Sequence, residues 1–344
     1  MDKNLKVLSG FLAAAIGDAM GAATETRNQE QIREYFEGRV TDLLDIPDDV
    51  PSRGWEKGSV TDGFSLAYCT ALTLIERNGE VDEEAAEDVI MMWSDSRYYS
   101  LADDDMAVAI ERLKGNPLIF HDDFLSHDST RGTNASAIRI APVGLASGGD
   151  VRKAIINAIM MALPLQQNST SLAASCAVAG AVSEALNEEA TVASVIEAGL
   201  LGAQAGDAYG ISIDCQLSNP SVYRRIEMAV DIAKKHEDDP ETGMKELAEV
   251  VGCGISAAES VPTAFGLFAM LGGKVMDTIT AAVNIGGCTP AIATIAGALA
   301  GTLSGSDEKL TEYLSVIDEV NGFDIRSVSE KLSELGQNNK IKEL

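Results

Sequence analysis

Long stretches of this chain are apolar around nearly the whole circumference of a helix, and that narrows the folds open to it more than any other feature. Leu172–Val182 reads Leu-Ala-Ala-Ser-Cys-Ala-Val-Ala-Gly-Ala-Val, which leaves no face for water. A helix of that kind is covered on all sides, so it belongs at the centre of a multi-layer bundle. Elsewhere apolar residues recur at i, i+3, i+4 and i+7, as in Phe64–Glu76, Glu83–Trp93, Val151–Leu163 and Ser221–Lys235. Only 9 prolines interrupt 344 residues, and no alternating β-branched run is long enough for a strand. These features predict an all-α fold, one large multi-helical bundle domain over 1–344, because no linker separates two cores.

Helix boundaries follow from capping chemistry. Thr289 before Pro290 has the pattern of an N-cap followed by proline in the first turn, and Ser260-Val261-Pro262 reads the same way. Ser136–Leu145, Val192–Gln204 and Thr242–Val251 are predicted as single helices. One internal echo stands out: Gly10–Gly21 and Gly199–Gly210 both end in Gly-Asp-Ala-x-Gly, a sequence that reads as a helix stop. Convergent packing of small-residue helices accounts for it without an internal repeat. Lys3 and Lys6 before the apolar stretch Val7–Ile16 imitate a short signal peptide, but the helical text runs on unbroken through Gly21.

Charge removes some functions. With 26 Lys+Arg against 53 Asp+Glu the net charge is −27. That repels phosphate backbones and anionic membrane surfaces, so neither nucleic acid nor membrane is expected as a partner. The 5 cysteines are odd in number and lack a Cys-x-x-Cys pair, which reads as reduced thiols in a cytoplasmic protein. His121, His127 and His236 have no company that suggests a zinc site. A small-molecule substrate remains.

Four loop-to-helix junctions place polar and small residues in otherwise apolar text: Gly17-Asp18 through Glu25, Val60-Thr61-Asp62-Gly63-Phe64, Arg131 through Pro142, and Asn284 through Pro290. Glycine-rich helix starts present free N–H groups to anions. The order and wording of the four junctions resemble the ADP-ribosylglycohydrolases, which include the dinitrogen-reductase-activating glycohydrolase and the J1 crystallins. The resemblance runs from Gly10 to about Gly305 and is carried by Gly17–Glu25, Thr61-Asp62, Asn134–Gly144, and Gly286-Gly287 leading into Ala296-Gly297-Ala298. It implies an all-helical domain with a cleft for a ribosyl group and two divalent ions.

The metal motifs are altered. The family's Thr-Asp-Asp-Thr reads Thr61-Asp62-Gly63-Phe64, and its Gly-Gly-Asp-Thr-Asp-Thr reads Gly286-Gly287-Cys288-Thr289-Pro290-Ala291. The mid-chain Thr-His is replaced by Gln166-Gln167. The dinuclear centre is therefore expected to be absent, with no metal ligand set and at most one weakly held Mg²⁺ near Asp62.

The resemblance and the residue chemistry together give candidate roles. Asp62 and Glu25 are the candidate catalytic carboxylates, one orienting a ribose hydroxyl or stabilising positive charge, the other handling a proton. Thr61, Asn134, Asp18, Gly286, Gly287, Cys288 and Thr289 are candidate substrate contacts. Cys288, beside a helix N-terminus, has the position of a low-pKa thiol but no histidine to activate it. Arg139 is expected to pair with a buried carboxylate such as Asp18. The function expected is hydrolysis of a ribosyl N- or O-glycosidic bond in a nucleoside-like or ADP-ribosyl substrate. A non-catalytic ribosyl binder or a structural member of the family is the alternative.

Overall fold

The apolar text folds as helix throughout. The computed structural model describes residues 2–102, 104–116, 132–305 and 307–341. Among these are 17 α-helices and no sheet. They are α1 (Lys3–Gly21), α2 (Gln29–Tyr35), α3 (Asp62–Glu76), α4 (Glu83–Ser94), α5 (Asp104–Leu113), α6 (Ala135–Ile138), α7 (Ala141–Ala146), α8 (Val151–Ala162) and α9 (Ser169–Ala185). The chain continues with α10 (Val192–Ser212), α11 (Val222–Lys235), α12 (Pro240–Glu246), α13 (Ala257–Met270), α14 (Val275–Val283), α15 (Thr289–Ser304), α16 (Glu308–Asn321) and α17 (Ile325–Ile341). The polar segment predicted from His121 onward, with His127 and Arg131, lies outside the described residues except for Gly132 and Thr133. No described helix is long and apolar enough to cross a membrane.

Two helix pairs, α1 with α15 and α9 with α10, make the most extensive contacts in the molecule. Both pairs depend on glycine. A Cβ built on Gly17 of α1 would lie 2.3 Å from the Ala293 carbonyl oxygen, and one on Gly297 of α15 would lie 2.4 Å from the Ala13 carbonyl oxygen. In the other pair, a Cβ on Gly202 or Gly206 of α10 would stand 2.1 and 2.4 Å from the carbonyl oxygens of Cys176 and Leu172. Backbones this close exclude any side chain, so the echo between Gly10–Gly21 and Gly199–Gly210 is explained by equivalent packing duties. The stretch Val7–Ile16 is the buried middle of α1.

Several boundaries differ from the sequence reading. Gly-Asp-Ala-x-Gly does not stop α10, which runs through Gly206 and Gly210 to Ser212 against the backbone of α9. Ser136–Leu145 is two short helices, α6 and α7, broken at Arg139-Ile140. Thr242–Val251 divides into α12, which starts at Pro240, and a π-turn over Leu247–Val251. Pro262 is inside α13, not at its start. The missing Pro262 N–H would have served the Ala258 carbonyl, and Arg225 Nη1 donates to that oxygen instead at 3.0 Å. At α15 the N-cap is Cys288, and Thr289 is already helical.

The glycine contacts carry a direct expectation. Gly17→Ala, which drives a methyl into the Ala293 backbone, should lower unfolding free energy by ~2–3 kcal/mol in urea titrations. A loss below ~0.5 kcal/mol would mean that α1 and α15 separate at little cost, contrary to the packing described.

Candidate active site

The start of α3 is built by a residue from another helix. Thr61, the N-cap, accepts from the Gly63 N–H at 3.3 Å, a long contact. The next N–H, of Phe64, donates to Asp18 Oδ2 at 2.7 Å. Asp18 also accepts from the Thr61 N–H at 2.5 Å, the Thr61 hydroxyl at 3.0 Å and the Thr294 hydroxyl of α15 at 3.3 Å. This carboxylate is fully buried. Burial pushes it up to about 6, against the pull of its hydrogen bonds from Thr61, Phe64 and Thr294. Asp18, expected as a substrate contact, is instead the cap that joins α1, α3 and α15 behind the cleft wall.

The turn after α1 holds Glu25. Thr26 donates its N–H to the Gly287 carbonyl at 2.9 Å, and Gly287 returns its own N–H to the Arg27 carbonyl at 2.8 Å. Cys288 N–H donates to the Cys253 carbonyl at 2.7 Å. Gly286 and Gly287 have φ of +95° and +71°, and a Cβ on Gly287 would stand 2.2 Å from the Cys253 carbonyl oxygen. These glycines let three segments meet. With its N–H occupied, Gly287 is no anion cradle, and neither glycine lines the cleft. Thr289 is also turned away: its hydroxyl donates to the Gly21 carbonyl at 2.9 Å and accepts from Thr24 at 3.0 Å.

Asn134 is held by a short antiparallel contact. Its N–H donates to the Ile255 carbonyl at 2.9 Å, and the Ala257 N–H donates to the Gly132 carbonyl at 2.9 Å. Asn134 Nδ2 donates to Ser260 Oγ at 3.0 Å and to Cys288 Sγ at 3.6 Å, and its side chain does not cap α6. Gln166 takes that duty, accepting from the Ser136 N–H at 3.1 Å.

The result is a cleft of about 410 Å³ at which Glu25, Thr61, Asp62, Asn134 and Cys288 converge. Asp62 is the first residue of α3, at the positive end of the helix dipole, which favours an anion. Glu25 is half-buried, and its carboxyl is pushed up to about 8, first by burial and then by the negative charges of Asp62 and Asp18. It therefore holds its proton at neutral pH. The Cys288 thiol is pushed up to about 12, chiefly by burial and then by Glu25, so the low-pKa thiol suggested by its position is not formed. Arg139 departs from expectation as well. It is fully buried, donating from Nη2 to the Met161 carbonyl, and among the described residues it meets no carboxylate and its Nε and Nη1 have no partner.

Gly63, Cys288, Pro290 and Ala291, where the family pattern has further metal ligands, all line this cleft. They offer it a thiol and hydrocarbon but no side-chain oxygen. Among the described residues no group of three or more His, Cys, Asp or Glu side chains could hold a metal ion. The donor set does not fit two hard divalent cations. Ser52, Arg53 and Ile255 also line the cleft, although sequence reasoning misses them. Ser52 and Arg53 stand in the irregular stretch Asp45–Ser59, which reads as a plain surface loop; the arginine is its one signal. A larger groove of about 670 Å³ between α10 and α11 is lined by aliphatic residues together with Glu197, Glu227, Asp231, Lys234 and Glu237, and by none of the motif residues.

An acidic cleft on a small-residue helical bundle defines a class, and comparison places the chain within it. The sequence model of the ADP-ribosylglycohydrolase family matches residues 1–341, and the chain belongs to that family. It is similar to the Escherichia coli (strain K12) protein YegU, at 25% identity over 341 residues, covering 97% of this chain and 98% of the relative. Among solved structures it is similar in fold to an "ADP-ribosylglycohydrolase-related protein complex", with TM-score 0.68 and 20% identity over 97% of this chain and 99% of that one.

The geometry of Asp18 sets an expectation for stability. Asp18→Ala leaves two N–H groups at the α3 start without acceptors, and should cost about 2–4 kcal/mol in chemical denaturation. An unchanged midpoint would show that Asp18 is not the cap.

Proposed function

We propose that the cleft hydrolyses the bond between a ribosyl carbon and a nitrogen or oxygen leaving group, with Glu25 as general acid and Asp62 as the stabilising carboxylate, and without a dinuclear metal centre. The observation that carries this reading is a pair of carboxyl groups facing one cleft from unlike surroundings. Glu25 is raised to about 8 and stays protonated, while Asp62 stands at a helix N-terminus. Family membership supports a glycosyl-hydrolase type of chemistry.

In this mechanism Glu25 gives its proton to the departing nitrogen or oxygen, and the bonding pair leaves with that atom. The ribosyl carbon gains oxocarbenium character, which the Asp62 carboxylate stabilises. Water adds at that carbon and its proton passes to the Glu25 carboxylate, which restores the resting state. Asn134 is the proposed ribose contact through its Oδ1, since its Nδ2 already donates to Ser260 and Cys288. A small, soluble ribosyl compound suits the cleft, and the net charge of −27 gives no docking surface for an acidic macromolecule. A second reading, a ribosyl binder without turnover, draws on the replaced positions at Gly63, Cys288, Pro290 and Ala291.

A panel of nucleosides and ADP-ribose conjugates, with free ribose measured for the former and free ADP-ribose for the latter, separates the two. The hydrolase releases the free sugar product from at least one member, and Glu25→Gln and Asp62→Asn each lower that rate by ~10²-fold or more. The binder is instead stabilised thermally by a ligand that it never consumes. No release, with Asp62→Asn indistinguishable from the parent, overturns the catalytic reading. With Mn²⁺ or Mg²⁺ in excess, calorimetry should show no tight binding; two equivalents at micromolar affinity would restore the dinuclear centre.

The raised carboxyl also fixes a pH dependence. Activity that needs protonated Glu25 falls as pH rises through about 8. Between its ordinary 4.5 and about 8 the folded protein holds a proton that the unfolded chain has released, so Glu25 costs increasing stability as pH rises across that window. Glu25→Gln should therefore raise the melting temperature at pH 8 by ~1–3 °C although it lowers turnover, and should have little effect on the melting temperature at pH ~4. Equal shifts at both pH values would remove Glu25 as the titrating group.

A further inference from the structure

We infer that the groove between α10 and α11 docks a basic amphipathic helix of another protein, with the apolar side chains of that helix on the floor and its Lys and Arg residues against the rim. The inference stands apart from the ribosyl reading, because the groove and the cleft share no lining residue.

α10 lacks a cover. Among the 21 residues of Val192–Ser212 only Glu197 and Asp207 are charged, and a helix so apolar is ordinarily enclosed. Its glycine side is enclosed, with Gly202 and Gly206 against the α9 backbone. Elsewhere it is open: Leu201 is 50% exposed, Ile211 is 47% exposed, and Leu200 is half-buried. α11 packs chiefly on α13 and touches α10 only slightly, so the two helices part and leave the groove of about 670 Å³. Val192, Ile196 and Leu200 of α10 face Val230 and Ala233 of α11 across its floor. Met228 of α11, next to Glu227 in sequence, is a further 45% exposed. Apolar surface left open and rimmed by charge marks a place where another molecule sits.

Charge selects the occupant. The rim carries Glu197, Glu227, Asp231 and Glu237 against the single cation Lys234. Arg224 holds Glu227 at 2.8 Å and Lys234 stands 3.9 Å from Asp231, which leaves Glu197 and Glu237 without a counter-ion among the described residues. A second copy of this chain would bring the same carboxylates and its own net charge of −27 to the contact. An anionic lipid surface would be repelled as well. A cationic partner is attracted both by the rim and by the net charge. Shape selects a helix. Val192–Leu200 and Glu227–Lys234 line the groove over about 10–12 Å each, or two helical turns. Apolar residues at i, i+3 or i+4, and i+7 of a docked helix match that length.

Fluorescence anisotropy of the full chain with labelled peptides of ~16 residues, about 24 Å long as helices, tests this. One peptide places Leu on one helical face and Lys on the rest, a second carries the same residues in scrambled order, and a third has Glu in place of Lys. The first should bind at least ~10-fold more tightly than the second, and the third should not bind. Glu197→Lys combined with Glu237→Lys should weaken the first peptide ~10-fold or more, and Leu200→Gln ~3-fold or more. Glu312→Lys combined with Glu319→Lys, exposed on α16 and equal in charge change, should alter it less than ~2-fold. Glu25→Gln should bind it as the parent does, whether or not the cleft turns over a substrate. No binding of the first peptide, equal binding of the scrambled one, or equal loss in the rim and α16 variants overturns the docking site. Sedimentation of the parent as a dimer that Leu200→Gln dissociates puts a second copy in the groove and overturns the basic partner.

Discussion

One buried carboxylate organises the geometry on which the cleft depends. Asp18 gathers two backbone N–H groups and two hydroxyls, from Thr61, Phe64 and Thr294, and so fixes where α3 begins relative to α1 and α15. A carboxylate surrounded by donors in a low-dielectric interior is strongly bound to its place, because every alternative leaves a charge or a donor unpaired. The glycines of α1 bring its backbone against α15, which puts Asp18 within reach of Thr294. Packing therefore comes first, the cap follows from it, and Asp62 is aimed into the cleft as a consequence of both.

The same charge reaches Glu25. Asp18 and Asp62 add to the burial that keeps the Glu25 carboxyl protonated. A group held neutral by its surroundings at a pH where water would ionise it is a standing cost to the fold, and such costs are found where chemistry uses them. The packing around the turn does not call for a glutamate at this place. Its neighbours are held by backbone hydrogen bonds between Thr26, Arg27 and Gly287, which any side chain at position 25 would permit. The physical case for function thus lies in a residue that the fold tolerates but does not need.

How much of this is legible in the sequence depends on whether the cause is local. Helices dominated by their own periodicity, such as α3, α4, α8 and α11, have ends within about two residues of those predicted. The sequence reading fails where a distant group intervenes. Pro262 sits inside α13 because Arg225, on α11, serves the carbonyl that the proline orphans. Thr289 looks like a cap beside Pro290, yet its hydroxyl is drawn to Gly21 and Thr24. Asp18 looks like a cleft residue until the α3 start shows its role. Arg139 is assigned a carboxylate partner on the general rule for buried cations, and the structure supplies a carbonyl instead. Glu25, Thr61, Asp62, Asn134 and Cys288 do come to one place, because motif order reports on which segments meet. Arg53 escapes notice because a single arginine in a loop has no pattern.

The replaced positions also belong to one physical argument. Pro290 and Ala291 line the cleft at the first turn of α15, where proline needs no N–H and costs the helix nothing. Gly63 stands where a Cβ would approach Asp18 Oδ2 to 2.9 Å, so a side chain there would press on the carboxylate that caps α3. Each change is thus compatible with a well-formed helix start, and together they exchange oxygen donors for apolar wall. An apolar wall lowers the local dielectric, and this raises the pKa of a nearby carboxyl while strengthening whatever charge contacts remain. In the proposed mechanism the burial provided by such a wall, with the charges of Asp62 and Asp18, is what makes Glu25 an acid at neutral pH.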